Sequence, residues 1–311
     1  MEPAVSLLGL TRDFDDLRAV DGLTFDVTHG ELFGIVGPDG AGKTTTLRML
    51  AGVLRPTSGD AMLAGVSVAR HPESVKRHIA YMSQRFGLYT DLTVRENLEF
   101  YADLYRVPRA ERHARRERLY AFSGLGPFQD RLAGQLSGGM KQKLGLSCAL
   151  VHEPEIMLLD EPTFGVDPIS RRDLWLIVHE MVARNVTVIV STAYLDEAER
   201  CDRVVVLHQG RAVALDTPDA LQERLHAKVL AVRTDRPREA RERLRGHPAV
   251  RQAVLFGDLL HVTLRAGAQE WPAVRADLAA AGVAVLAEEI VEASLEDVFI
   301  DLTRRGVVEG E

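Results

Sequence analysis

The sequence predicts an α/β fold: a mostly parallel sheet with an N-terminal antiparallel region, a helical subdomain, and a small α+β domain at the C-terminal end. Three observations carry it. Short, almost uninterrupted apolar runs at 32–36, 156–159 and 186–192 have the composition of strands buried on both faces. Helical patterns separate these runs, as a covered parallel sheet requires. Beyond residue 227 the order becomes β-α-β-β-α-β, which suits a small split-βαβ sandwich.

In chain order, the stretch 23–28 alternates apolar and polar residues, as a strand with one wet face does. Asp21-Gly22 before it and His29-Gly30-Glu31 after it have turn chemistry. Phe14 lies ahead of these strands in a polar setting. The run 32–36 leads directly into Gly37-Pro38-Asp39-Gly40-Ala41-Gly42-Lys43-Thr44, with Thr45 behind it, and 44–51 has no helix breaker before Gly52. Strand, G-x-x-x-x-G-K-S/T loop and helix together form a phosphate cradle. Glycines permit positive φ and close approach of an anion, which backbone N–H groups and the helix dipole then face. Lys43 is placed to reach the β- and γ-phosphates and the Thr44 hydroxyl to ligate Mg²⁺.

Downstream, a turn at 56–60, a short strand at 61–63 and a strand at 79–84 ending on Gln84 are expected. Thr93 and Glu96 have capping-box spacing at the start of a helix. Pro108 separates that helix from an arginine-rich one, whose basic run is interrupted by Glu111 and Glu117 and reads as a solvated face. Ser137-Gly138-Gly139 opens the next helix and Pro154 ends it. Helix 171–184, strand 186–192 and a hairpin turning at Gln209-Gly210 follow, closing a first domain of 1–226 with a helical subdomain at about 85–150. The second domain, 227–311, is expected to hold strands at 229–232, 250–255, 260–264 and 283–286. Its helices fall at 237–245, 271–281 and from Ser294 to 302, with Ser294 and Asp297 in capping positions.

Polar groups at the ends of these strands converge on one sheet edge, where open α/β sheets bind ligands. Asp160 and Glu161 end an apolar strand, a costly place for two carboxylates. Beside Lys43 and Thr44, Asp160 suits Mg²⁺ and its waters, and Glu161 suits activation of a water at the γ-phosphate. The competing reading is a pair of acids capping a turn before Pro162. Gln84 is able to contact Mg²⁺ or that water, or is a surface glutamine before a loop. Ser137-Gly138-Gly139 is a second potential anion site, because glycine bares the first N–H groups of a helix.

Composition sets the outer limits. The chain has 311 residues, 46% hydrophobic and 27% charged, with a formal net charge of −7. This is ordinary globular composition in about two domains, and it disfavours a strongly basic nucleic-acid surface. Two distant cysteines, Cys148 and Cys201, suggest neither a disulfide framework nor a zinc cluster. The N-terminus lacks signal-peptide order and no apolar run reaches about 18 residues, so a cytoplasmic protein is expected.

Together these pieces resemble the ATP-binding subunit of ABC transporters, closest to the drug, antibiotic and polysaccharide exporter class. Gly37 to Thr44 is similar to the Walker A loop, and Asp160 with Glu161 to Walker B and its catalytic glutamate. The run Leu136-Ser137-Gly138-Gly139-Met140-Lys141-Gln142 is similar to the family signature. Gln84 falls at the Q-loop, and Phe164-Gly165-Val166-Asp167-Pro168 resembles the D-loop. Phe14 stands where the family stacks adenine on an aromatic ring. The run Ser294-Leu295-Glu296-Asp297-Val298-Phe299 resembles an exporter-type ending.

The resemblance implies a P-loop ABC ATPase core that binds ATP and Mg²⁺ and pairs head to tail with a second ATP-binding subunit, as a homodimer. Ser137 and Gly139 would then serve the partner's nucleotide. A separate integral-membrane permease would dock on the region between Gln84 and Leu136, holding the chain peripherally at the inner face of the cell membrane for export of a drug-like or other amphipathic substrate. Ala193 departs from the family, which has a γ-phosphate-contacting histidine there. Hydrolysis without that contact and an ATP-gated switch with little turnover are the two readings that follow. A soluble ABC ATPase acting on ribosomes or nucleic acid is a third, disfavoured by the single ATP domain.

Overall fold

The computed structural model describes residues 2–84, 87–224, 229–265 and 267–308. Two compact units, Met1–Ala212 and Val213–Glu311, divide the chain. The first opens with β1 (Val5–Phe14) and β2 (Leu17–Val27), then β3 (Leu32–Val36) and α1 (Lys43–Leu50). β4 (Ser58–Leu63), β5 (Val66–Ser67), α2 (Pro72–Val75) and β6 (Ile79–Met82) follow. The helical region holds α3 (Val94–Leu104), α4 (Arg109–Ser123) and α5 (Gly138–Leu150). The chain returns through β7 (Ile156–Asp160), α6 (Pro168–Ala183), β8 (Thr187–Thr192), α7 (Leu195–Ala198), β9 (Arg203–His208) and β10 (Arg211–Asp216).

β1, β2, β4 and β5 make an antiparallel sheet in the order β2-β1-β4-β5. The expected turn at Asp21-Gly22 is instead internal to β2. There the register with β1 shifts, Gly22 takes a φ of +64°, and its N–H donates to Thr11 Oγ1 at 3.0 Å. This is a bulge, which explains why turn chemistry sits mid-strand. Phe14 is likewise not ahead of the strands but the last residue of β1, opposite Leu17 across a two-residue hairpin.

The central sheet runs β9-β3-β8-β7-β6, all parallel, with β10 beside β9 where the chain passes into the second unit. Every residue of β3, β7 and β8 is buried, as their apolar composition requires. The carboxyl ends of β3, β6, β7 and β8 therefore deliver Gly37, Gln84, Asp160 with Glu161, and Ala193 to one edge. In the helical region the Thr93–Glu96 capping box forms as expected, with both reciprocal hydrogen bonds. The α4 arginines Arg112, Arg115, Arg116 and Arg118 are engaged by carboxylates of Glu99, Asp103, Glu111 and Glu153.

The second unit contains α8 (Pro218–Arg224), β11 (Val229–Thr234), α9 (Pro237–Arg245), β12 (Val250–Phe256), β13 (Leu259–Leu264), α10 (Trp271–Ala280), β14 (Val285–Val291) and α11 (Leu295–Val308). Its antiparallel sheet has the order β12-β13-β11-β14, the split-βαβ arrangement. Leu230, Val232, Leu260, Val262, Trp271, Val274 and Leu278 form its core. The last strand lies later than the expected 283–286, because Val283 is a buried loop residue that ends α10. Within this unit α8 packs on α11.

Candidate nucleotide site

β3 ends at Val36, and the chain turns through Gly37 to Gly42 before α1 begins at Lys43. Gly42 has a φ of +101°, and a Cβ there would lie 2.5 Å from the Ala19 carbonyl oxygen, so only glycine fits. Gly40, at φ +80°, faces open space: no atom lies within 4 Å of where a Cβ would stand, which leaves the loop's outer side clear. Thr46 Oγ1 donates to the Gly42 carbonyl at 2.9 Å and ties the first helical turn to the loop.

Lys43 is 4% exposed, a burial that an ammonium tolerates only with partners. Its Nζ donates to the carbonyl oxygens of Gly37 at 2.8 Å and Pro38 at 3.1 Å and lies 3.2 Å from Glu161 Oε1. Thr44 Oγ1 donates to Asp160 Oδ1 at 2.9 Å. Ser191 Oγ, from β8, donates to the same oxygen at 2.7 Å, and Tyr81 Oη reaches Asp160 Oδ2 at 3.4 Å. Burial, then the Asp160 charge, pushes the Tyr81 phenol up to about 12, so it stays a neutral donor.

Glu161 has a φ of +47°, in the region that favours glycine. That conformation costs of order 1 kcal/mol and persists only where the surroundings over-determine it. Here the Glu161 N–H donates to both the carbonyl oxygen and Oγ of Ser191, each at 3.1 Å. Gln84 Nε2 donates to Glu161 Oε2 at 3.0 Å. Phosphate loop, β6 end, β7 end and β8 end are thus joined by hydrogen bonds among predicted site residues and two that were not predicted, Ser191 and Tyr81.

These residues border a cavity of about 750 Å³, lined by Phe14, Asp39, Gly40, Gly42, Lys43, Thr44, Thr45, Gln84 and Glu161. Leu17, Arg18, Ala19, Phe164 and Gln209 complete the lining and were not foreseen as site residues. Phe14 is 39% exposed, and its ring lies 4.5 Å below the Arg12 guanidinium, a flat amphipathic platform at the rim. Gly37, Pro38 and Ala41 do not line the cavity; Gly37 and Ala41 are buried and Pro38 is exposed.

The donor set fits Mg²⁺. Hydroxyl, carboxylate and carboxamide oxygens of Thr44, Asp160 and Gln84 are hard ligands, and Mg²⁺ is ordinarily held by one or two such groups with phosphates and waters. No cluster of three or more His, Cys, Asp or Glu side chains able to hold a metal occurs among the described residues.

The signature segment does not line this cavity. Ser137 caps α5, its Oγ accepting from the Met140 N–H at 3.3 Å, and Ser137 and Gly138 are exposed. Gly139 is buried, and a Cβ there would fall 2.2 Å from Ser170 Cβ, so this glycine is demanded by packing on α6. Asp167 caps α6 by accepting from the N–H groups of Ile169 and Ser170, leaving Phe164 and Ile169 exposed at 57% and 77%. Ala193 is exposed beyond β8.

A lysine-bearing glycine loop, a hydroxyl and two strand-end carboxylates in one hydrogen-bonded set define a phosphate-loop nucleotide-binding protein. The family model described as ABC transporter matches residues 20–164. The chain is 41% identical over 307 residues to the probable multidrug ABC transporter ATP-binding protein YbhF of Escherichia coli, a match covering 97% of this chain and 52% of that protein. The chain therefore spans about half the length of that relative. It is 37% identical to the Nod factor export ATP-binding protein I of Burkholderia thailandensis, over 94% of each chain.

Among solved structures, an ATP binding subunit of an ABC transporter matches with a TM-score of 0.66 and 32% identity, over 72% of this chain and 93% of that one. The dimeric post-hydrolysis state of the ATP-binding cassette MJ0796 bound to ADP and Pi matches with a TM-score of 0.62 and 25% identity, over 68% and 98%. The chain belongs to the ATP-binding subunits of ABC transporters.

Proposed function

We propose that this chain is the ATP-hydrolysing subunit of an exporter, that it dimerises on MgATP, and that it drives a separate membrane permease. The observation that carries the proposal is the joined set of Lys43, Thr44, Asp160 and Glu161 at one cavity. ATP enters with its adenine on the Phe14 ring and its phosphates against the N–H groups of residues 39–45 and the Lys43 ammonium. Thr44, Asp160 and Gln84 would hold Mg²⁺, which when bound would neutralise charge on the phosphate oxygens. Glu161 takes a proton from the attacking water as that water's oxygen bonds to the γ-phosphorus and ADP departs. Gln84, through its hydrogen bond to Oε2, keeps the other carboxylate oxygen turned toward that water.

The exposed Ser137 and Gly138 at the start of α5, with the exposed Phe164 and Ile169, supply a surface for a second subunit. The α5 N-terminus would close on the partner's γ-phosphate and complete the charge stabilisation. The dimeric cassette structure bound to ADP and Pi supports this pairing by similarity. A permease is placed by this reading on the helical region, where Tyr89, Phe100 and Leu104 are exposed apolar residues and a groove of about 950 Å³ runs past Val53, Leu104 and Tyr105. No helix among the described residues is long and apolar enough to cross a membrane. On this reading the permease holds the chain at the inner face of the cell membrane. The names of the multidrug and Nod factor export relatives support export as the direction of transport.

Phosphate release by the purified chain tests the reading. Turnover that requires both ATP and Mg²⁺, and stops with a chelator, is expected; ATP binding with no release at any protein concentration contradicts it. A second reading, an ATP-gated switch with little hydrolysis, is favoured by Ala193 alone. Under it, Ala193→His creates turnover that the wild type lacks, whereas under the first it only raises an existing rate.

A further inference from the structure

Glu197, on α7, is wholly buried, yet it takes no part in the nucleotide site described above. Four side chains from three other segments donate to its carboxylate. Thr163 Oγ1, two residues beyond Glu161, donates to Oε1 in a short hydrogen bond. Arg171 Nε and Trp175 Nε1, both on α6, reach the same oxygen at 2.7 and 3.3 Å. Thr192 Oγ1, the last residue of β8, donates to Oε2 at 2.6 Å and accepts from the Tyr194 N–H at 2.9 Å. The Arg171 guanidinium also stacks 4.7 Å from the Tyr194 ring centre.

We infer that Glu197 is a positioning residue for hydrolysis, holding the turn that carries Glu161 and the end of β8 in one fixed relation. The inference rests on Glu161 as the residue that handles the attacking water. Glu161 sits in a left-handed backbone conformation that relaxes unless both sides of the turn are held. On its N-terminal side Ser191 holds the N–H; on its C-terminal side Phe164 N–H returns to the Glu161 carbonyl at 3.1 Å, and Thr163 is anchored on Glu197. The same carboxylate fixes Thr192, whose carbonyl accepts from the Gly37 N–H of the phosphate loop at 3.4 Å. A buried charge with four donors tolerates only one arrangement of the groups that satisfy it, because losing any donor leaves a desolvated carboxylate short of a partner.

The test is steady-state phosphate release by the full chain with Thr163→Val, Thr163→Ser and Glu197→Gln, beside Glu161→Gln, with Kd for a fluorescent ATP analogue and Tm measured on each. Displacing a catalytic group by about 1 Å costs up to roughly 100-fold in rate. Thr163→Val and Glu197→Gln are therefore expected to lower kcat at least about tenfold while the analogue's Kd changes less than about twofold, and Thr163→Ser to recover most of the rate lost in Thr163→Val. If Glu197→Gln does not fold, the Thr163 pair decides alone. Unchanged kcat in Thr163→Val, or a fall matched by weaker nucleotide binding, overturns the inference. Full turnover in Glu161→Gln overturns instead the reading of Glu161 on which it rests.

Discussion

Lys43 Nζ stands 3.2 Å from Glu161 Oε1, so the phosphate-loop ammonium and the carboxylate just past β7 form one ion pair. Lys43 is 4% exposed and Glu161 13% on their side chains, which keeps water from screening the pair strongly. Under the proposed function, a γ-phosphate entering the cavity would compete with Glu161 for the ammonium. The carboxylate would then be freed to act as a base at the place where the phosphate has arrived. On that reading the ion pair couples phosphate binding to activation of the base.

Lys43→Ala removes the ammonium that lines the cavity. Loss of charge-assisted hydrogen bonds to phosphate corresponds to about 3 kcal/mol, or roughly 100-fold in ATP affinity. Titration with a fluorescent ATP analogue reads this directly, and an unchanged Kd would remove Lys43 from the site.

Gly139→Ala introduces a Cβ that meets Ser170 Cβ at 2.2 Å, a clash that side-chain rotation does not relieve. The gain in helix propensity of about 1 kcal/mol is smaller than overpacking costs of about 1–3 kcal/mol. Thermal unfolding should show a lower Tm, restored in part by Ser170→Gly in the same chain. A rise in Tm for the single variant would show that α5 and α6 are not packed this closely.

Acid stability should depend on Glu31, which is 6% exposed. Burial alone would push its carboxyl up, but the hydrogen bond from Arg203 at 2.7 Å and those from the Thr28 N–H and hydroxyl outweigh burial and hold it below the ordinary 4.5. A carboxylate with a lowered folded pKa binds fewer protons folded than unfolded. Its stabilisation is therefore complete above the ordinary value and lost as pH falls through the folded one. Glu31→Gln should lower Tm at pH 7 and flatten the decline of Tm below about pH 4.5. Parallel Tm–pH curves for the two proteins would contradict this.

Much of the site was readable because its residues lie at motif spacing beside strong strand signals. Gly37 to Thr45 and Asp160-Glu161 each follow a fully buried apolar run, so the sheet edge could be assembled from the sequence alone. Ser191 and Tyr81 were not, although both contact Asp160, because a serine inside a strand and a tyrosine on another reveal their partner only through strand pairing. Glu197 escaped for the same reason: its four donors are spread from residue 163 to 192. Asp21-Gly22 misled because turn and bulge draw on the same residue types, and periodicity over so few residues does not separate them.

The coupling of Lys43, Glu161 and a second subunit is tested most directly by Glu161→Gln, assayed for turnover, ATP binding and molecular mass in MgATP. The side chain keeps its size and loses its basicity. Turnover should fall at least about 100-fold, ATP affinity should be kept or improved, and the chain should elute as a nucleotide-bound dimer. Turnover at the wild-type rate, or a protein that stays monomeric with ATP bound, would contradict the account.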